Sequence, residues 1–299
     1  MAVIDWASHK ASREAVAAEE EMWVGLADEH GVPFDLVFPP LLSMVAPETR
    51  NSPVSLRITA VVKSPSGEVH PLVDELFAEG FSAVGVDREG RLNVVLDSTR
   101  YVYVLRDRLR AYRVTHCVLS GGFEAPEQIE IHGADMLSEL NRHVAWTAPA
   151  TELGRFTTFT RDWAGPENVG VLFKEPRDLQ DIKLVTVADG VTLSGPAEST
   201  LREMIKVSLE TGWARTGVRS VVDDPPIVVA PGGSGVESPE ILIRATDDKL
   251  LDTVAPVAAA AGVRISAVMW LPGDDPVEGL ALGESPKIVV RVEQTAEVS

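Results

Sequence analysis

Cysteine is nearly missing from this 299-residue chain: Cys117 stands alone. No intramolecular disulfide can form, and a reducing compartment is the expected setting for folding. Cys117 lies within the strand-like run Val114-Thr-His-Cys-Val-Leu119 and is expected as a small buried thiol. Aromatic residues are sparse, with three tyrosines and eight phenylalanines against 20 prolines and 23 glycines. That balance predicts many turns and short elements. No window approaches the roughly 18 uncharged apolar residues of a membrane-spanning helix. The opening Met-Ala-Val-Ile-Asp-Trp has no basic stretch leading into an apolar core, so no secretory leader is expected.

Positive charge is also scarce. Twenty-seven Lys and Arg face 45 Asp and Glu, a formal net charge of −18. Such a surface repels nucleic acid and argues against sequence-independent DNA binding. One basic patch stands out: Arg100, Arg106, Arg108, Arg110 and Arg113. The shared parity of Arg106, Arg108 and Arg110 predicts one face of a strand. That face either meets an acidic partner or phosphate, or is solvated and balanced by Asp107 and nearby acids. Tyr101, Tyr103 and Tyr112 flank it and keep base stacking as a minor option.

The chemistry-bearing motifs are absent. His9, His30, His70, His116, His132 and His143 form no His-x-x-x-His or His-Glu-x-x-His pair, which leaves no zinc site. His116 and His132 can lie on adjacent strands as hydrogen-bonded structural residues. The acidic pairs Asp223-Asp224, Asp247-Asp248 and Asp274-Asp275 fall in turns or at helix starts, where aspartate caps amides. Pro231-Gly-Gly-Ser-Gly235 lacks the Gly-Lys-Ser/Thr ending of a phosphate loop, and Ser234 is expected in a flexible hairpin tip. No catalytic, cofactor-binding or metal-ligating residue is assigned, and the chain is read as non-enzymatic and cofactor-free.

What is present is a repeated unit. Gln128-Ile-Glu-Ile-His-Gly-Ala-Asp-Met-Leu-Ser-Glu-Leu140 reads as a strand turning into a helix, with Gly133 at the turn and Asp135 as cap. Met136, Leu137 and Leu140 then share one helical face. Residues 239–254 repeat the layout with Thr246 or Asp247 as cap. Residues 191–205 are a looser copy, with a capping box at Thr200-Leu-Arg-Glu203 opening a helix to about Thr211. Residues 6–30 are expected to be helical up to a stop at Gly31 and Pro33. The proline-broken apolar stretch 33–47 is expected as an extended arm, docking either on a partner or on its own domain. Strands follow at 55–63, 84–96, 101–105 and 112–119, with turns at Ser64–Gly67 and Asp87–Gly90. A junction rich in aromatics (Trp146, Phe156, Phe159, Trp163) precedes alternating strands and helices. These include a helix at 247–261 and strands at 227–230, 263–270 and 287–292.

The expected fold is therefore α+β. A small antiparallel β-barrel or sandwich at 51–149 follows the helix and arm at 1–50. An α/β module of strand–helix units spans 150–299.

Ile129-Glu-Ile-His-Gly-Ala-Asp-Met-Leu137, with Trp146 and Phe156-Thr-Thr-Phe-Thr-Arg-Asp-Trp163, resembles the minor tail proteins of actinobacterial siphophages. More broadly it resembles the baseplate-hub, or tail-associated, family, over roughly residues 50–295. The helices near Thr200–Thr211 and Asp247–Ala261 and the ending Pro286-Lys-Ile-Val-Val-Arg-Val292 resemble the inserted modules of that family. The resemblance implies a virion structural protein of the phage tail tip, usually a homotrimer, that joins the tail tube to the tip and lines the DNA channel. It implies other tail proteins as partners: distal tail ring, tape measure, and tip or fibre proteins. It implies neither stable nucleic-acid binding nor a membrane span. A tail-associated cell-envelope hydrolase and a hexameric distal-tail ring protein are the alternatives. Hub proteins generally return to a second barrel after the inserted module, and this sequence stops near where that barrel would begin, so the expectation is that either another subunit completes the ring or the hub is reduced.

Overall fold

The computed structural model describes residues 4–78, 99–121, 125–147 and 192–295 in full. Between them it gives only short strand pairings: Gly85–Val86 with Leu92–Asn93, Leu153–Gly154 with Ile182–Lys183, and Phe159–Arg161 with Leu172–Arg177. The expected turn at 87–90, together with Phe156 and Trp163, lies outside the described residues. The architecture is mixed α+β, built on a curled antiparallel half-barrel sheet with helices packed beside it.

Six strands make that sheet: β1 (Trp23–Ala27), β2 (Leu41–Val45), β3 (Ser55–Val61), β4 (Tyr101–Leu105), β5 (Leu109–Gly121) and β6 (Pro126–Asp135). Their order is β1-β4-β5-β6-β3-β2, and every pair is antiparallel. Alternation sets the register. Leu56, Ile58 and Ala60 are buried while their neighbours are more exposed, and Ile58 stands opposite Ile131.

Three local expectations need correction here. The N-terminal helix α1 covers only Trp6–Glu20; Glu21 turns left-handed (φ 65°) and Met22 leads into β1. Val24 and Leu26 thus serve a strand, because pairing with β4 overrides the weak helical signal of a single apolar turn. Gly133 is no hinge. It sits inside β6 opposite Leu56 and Val114, and a β-carbon there would lie 3.1 Å from both the Arg113 carbonyl and the Tyr112 side chain. Close strand approach, beside the bulge at Val114/His116, is what requires glycine. The seven residues after β6, Met136–Arg142, form a 3₁₀ helix. Asp135 does cap it, accepting from the Ser138 amide at 3.3 Å, and Met136, Leu137 and Leu140 are buried as expected.

One face of the sheet buries Leu56, Ile58, Val102, Ile129 and Ile131. The apolar arm covers that face through Phe34, Leu36, Phe38 and Leu41, and its end becomes edge strand β2. The arm therefore packs on its own sheet, one of the two placements expected for it. The opposite face, through Ala27, Tyr103 and Ala111, shares a single core with Met136, Leu140 and the C-terminal elements. The Tyr103 hydroxyl, fully buried, donates to the Gly31 carbonyl at 2.6 Å.

The C-terminal elements are β7 (Thr192–Pro196), α2 (Ala197–Thr216), a short α3 (Arg219–Asp223), β8 (Ile227–Val229), β9 (Glu240–Arg244), α4 (Leu250–Ala260), β10 (Val263–Trp270) and β11 (Lys287–Gln294). β7 pairs with β9, while β11 lies between parallel β8 and antiparallel β10. Leu201, Met204, Ile205 and Leu209 of α2 and Leu250, Leu251, Val254 and Ala258 of α4 face the shared core at helical spacing. Both expected caps fail. α2 starts at Ala197 with no side-chain cap, which places Thr200 inside the helix, and α4 starts after Lys249, also uncapped. Asp247 is instead left-handed (φ 62°), and its carboxylate holds the Thr147 amide and hydroxyl, each at 2.8 Å. Residues 143–147 are laced to this turn by further main-chain bonds, including Leu250 N–H to the His143 carbonyl at 2.9 Å. α1 is tied to the same half of the molecule by an ion pair between buried Arg13 and Asp274.

Asn51 joins the halves most directly. Its side-chain amide donates to the Val263 carbonyl and accepts from the Ile265 amide, both at 2.8 Å, which pairs two main-chain groups of β10 that no strand serves among the described residues. Its left-handed backbone (φ 55°) suits asparagine. Asn51→Ala leaves two buried polar groups unmet and is expected to cost about 1–3 kcal/mol. The check is the denaturant midpoint. Asn51→Gly, which relieves the backbone but not the lost bonds, should recover only a small part of that cost.

Candidate functional site: an arginine-lined groove

Where β5 and the segment before β3 meet the β10–β11 hairpin, they leave a groove of about 550 Å³. Among the described residues Arg50, Arg108, Arg110, Arg264 and Arg291 line it, together with the carboxylates Glu48, Asp135 and Glu293. Five cations against three acids make this a local excess of positive charge on a chain of net −18.

The register explains the convergence. Arg264 stands opposite Glu293, and Ser266 opposite Arg291, so the polar residues of both strands share one face. Arg264 pairs with Glu293. Arg108 and Arg110 both reach Glu48, each at 2.9 Å, and Arg110 also meets the Ala46 carbonyl at 3.4 Å. The side chains of Arg50 and Arg291 make no ion pair or hydrogen bond among the described residues. Such guanidinium groups are suited to forked binding of carboxylate or phosphate.

The basic patch expected from sequence is divided by the fold. Residues 106–108 form the turn between β4 and β5, so Arg106, Arg108 and Arg110 do not share a strand face. Arg108 and Arg110 reach the groove. Arg100 is buried, 3.7 Å from Glu75 and over the Phe34 ring, and Arg113 binds Glu139 at 2.6 Å. Tyr103 and Tyr112 are core residues, which removes them as stacking platforms. Sequence reasoning missed Arg50, Arg264 and Arg291, which come from separate segments. The usable signal was the outward parity of Arg264 and Arg291 in two strongly apolar strands.

The remaining candidates are accounted for structurally. His116 and His132 are indeed cross-strand partners, their rings stacked at 4.1 Å, with His132 against Glu130. His9 sits edge-on to both Trp6 and Trp23, and burial, helped by nearby Arg13, lowers its pKa. Among the described residues, no group of three His, Cys, Asp or Glu could hold a metal ion. Asp224 binds Lys287 at 2.6 Å, Asp274 binds Arg13, and Asp275 reaches Lys10 at 3.3 Å. Ser234 is not a loose tip: its amide and hydroxyl both donate to Glu198. Cys117 is half-buried in β5, and burial pushes its thiol up to about 12, far from thiolate chemistry. No helix among the described residues is long and apolar enough to cross a membrane. No protein-family model matches the chain, and no curated protein matches it.

Proposed function

We propose that this chain is a structural component of a bacteriophage tail tip, a hub-like minor tail protein that joins the tail tube to the tip and lines the DNA channel. The observation that carries this reading is a curled antiparallel sheet fused through one core to a module of strand–helix units. This is the combination that the resemblance of residues 50–295 implies. The net charge of −18 supports it further, because an acidic wall lets DNA pass without gripping it. The finer tube-like closure of the sheet belongs to this proposal, with neighbouring subunits completing the ring.

Purified tailed particles provide the test. Mass spectrometry should find the chain in the particle, and gold-labelled antibody should mark the tail tip. A chain absent from particles whose other tail proteins are all detected would sink the reading.

A further inference from the structure

From the arginine groove we infer a head-to-tail contact between copies of this chain, in which Glu19-Glu20-Glu21 of one copy enters the groove of the next. The inference rests on the proposed structural role only for its biological use; the contact itself rests on charge and geometry.

The groove holds two guanidinium groups, Arg50 and Arg291, without a partner among the described residues, beside exposed Arg108 and Arg264. An opposite charge with the same deficit sits elsewhere on the molecule. Glu19, Glu20 and Glu21 are all exposed and form the longest acidic run in the chain. They occupy the last turn and C-cap of α1, which carries no basic residue in its last turn. Among the described residues none of the three meets a cation. Three carboxylates at the negative end of a helix repel the helix dipole and one another. Elsewhere in the structure the acidic pairs have counter-charges or donors, as Asp224, Asp247 and Asp274 do. A positive surface on another copy relieves both deficits at once.

The two patches are different surfaces, so the contact is heterologous and builds rings or open chains rather than an isologous dimer. The interface is exposed and charged, so it should weaken with salt.

The experiment is a charge swap on the full chain. Wild-type protein is expected to self-associate at low ionic strength in sedimentation equilibrium and to dissociate at about 0.5 M salt. Arg50→Glu with Arg291→Glu should raise the dissociation constant at least about tenfold, and Glu19→Lys with Glu20→Lys and Glu21→Lys should do the same. None of these side chains has an ion-pair or hydrogen-bond partner among the described residues, so both variants should keep the wild-type circular dichroism and thermal midpoint. Mixing the two variants should restore association, because each reversed groove then meets a reversed tail and each native groove a native tail. A wild-type chain that stays monomeric at low salt overturns the contact. So does association unaffected by the groove variant, or a mixture that stays monomeric. Particle incorporation tests the tail reading separately, and either result can fail without the other.

Discussion

Glu198→Ala is expected to destabilise the protein by about 3–5 kcal/mol, the cost of breaking a buried charged network from one side. Glu198 is buried at the start of α2, and its carboxylate is crowded with donors. It accepts from Arg202 at 2.6 Å, the Gln294 amide at 2.8 Å, and the Ser234 amide at 3.0 Å and hydroxyl. Arg202 reaches on to the Val292 carbonyl at 2.9 Å, and Gln294 to the Ala261 carbonyl at 2.8 Å. One side chain thus fastens α2, the 231–235 loop and the end of β11. Removing it leaves a poorly exposed guanidinium with only the Val292 carbonyl, and two main-chain amides without an acceptor. Burial opposes the charged form, but the donors from Ser234, Gln294 and Arg202 outweigh it and hold the carboxyl below its ordinary value. Its contribution is therefore complete above the ordinary glutamate range and is lost as pH falls through the lowered value. Urea unfolding should show a lower midpoint at unchanged slope. Glu198→Gln keeps the shape but turns a donor toward Ser234 or Gln294, and about half the loss should remain. A Glu198→Ala protein as stable as wild type would remove the network as a stabilising element.

That network shows why parts of the molecule were legible in the sequence and others were not. β10 and β11 were readable because Val263–Trp270 and Lys287–Val292 are dense in β-branched and apolar residues. The Asp135 cap was readable because an aspartate between a strand pattern and a helical face has one common use. The 231–235 loop was misread as loose. Its anchor is a carboxylate 36 positions away, and Gly233 is glycine because a β-carbon would overlap that carboxylate. Nothing local in Pro-Gly-Gly-Ser-Gly encodes such a contact. The caps of α2 and α4 failed for a related reason: Thr200 and Asp247 are committed to core packing and to Thr147, and tertiary demands override the local motif. The arginine groove is the extreme case. Five separate stretches of the chain build it, and the sequence patch that suggested basic function contributes only Arg108 and Arg110.

The second large effect concerns the two ends of the 3₁₀ helix Met136–Arg142, where two half-buried ionisable groups oppose each other. Asp135, the N-cap, is pushed up from 3.8 to about 6 by burial, against the pull of the Val54 and Ser138 amides. His143, the C-cap, is pushed down from 6.5 to about 4 by burial and by neighbouring Arg142, its ring edge-on to Trp213 at 4.7 Å. In the window between about pH 4 and 6, the folded chain holds a proton on Asp135 that the unfolded chain has released. That term weakens the fold as pH rises through the window. Over the same range the unfolded chain protonates His143 and the folded chain does not, a term that strengthens the fold as pH rises. The two nearly cancel, so neither is visible in the wild-type profile alone. Asp135→Asn keeps a cap acceptor and cannot ionise. It should gain up to about 3 kcal/mol over wild type at pH 7, with the gain vanishing as pH falls toward 4. The variant itself is then left with the His143 term and should lose stability on acidification more steeply than wild type. His143→Gln should shift the profile the other way, its stability relative to wild type improving as pH falls from 6.5 to 4. Denaturant unfolding at half-unit steps of pH reads both. A difference between Asp135→Asn and wild type that stays constant from pH 4 to 7 would show that the cap carboxylate is not titrating in the fold, and the opposition across this helix would fall with it.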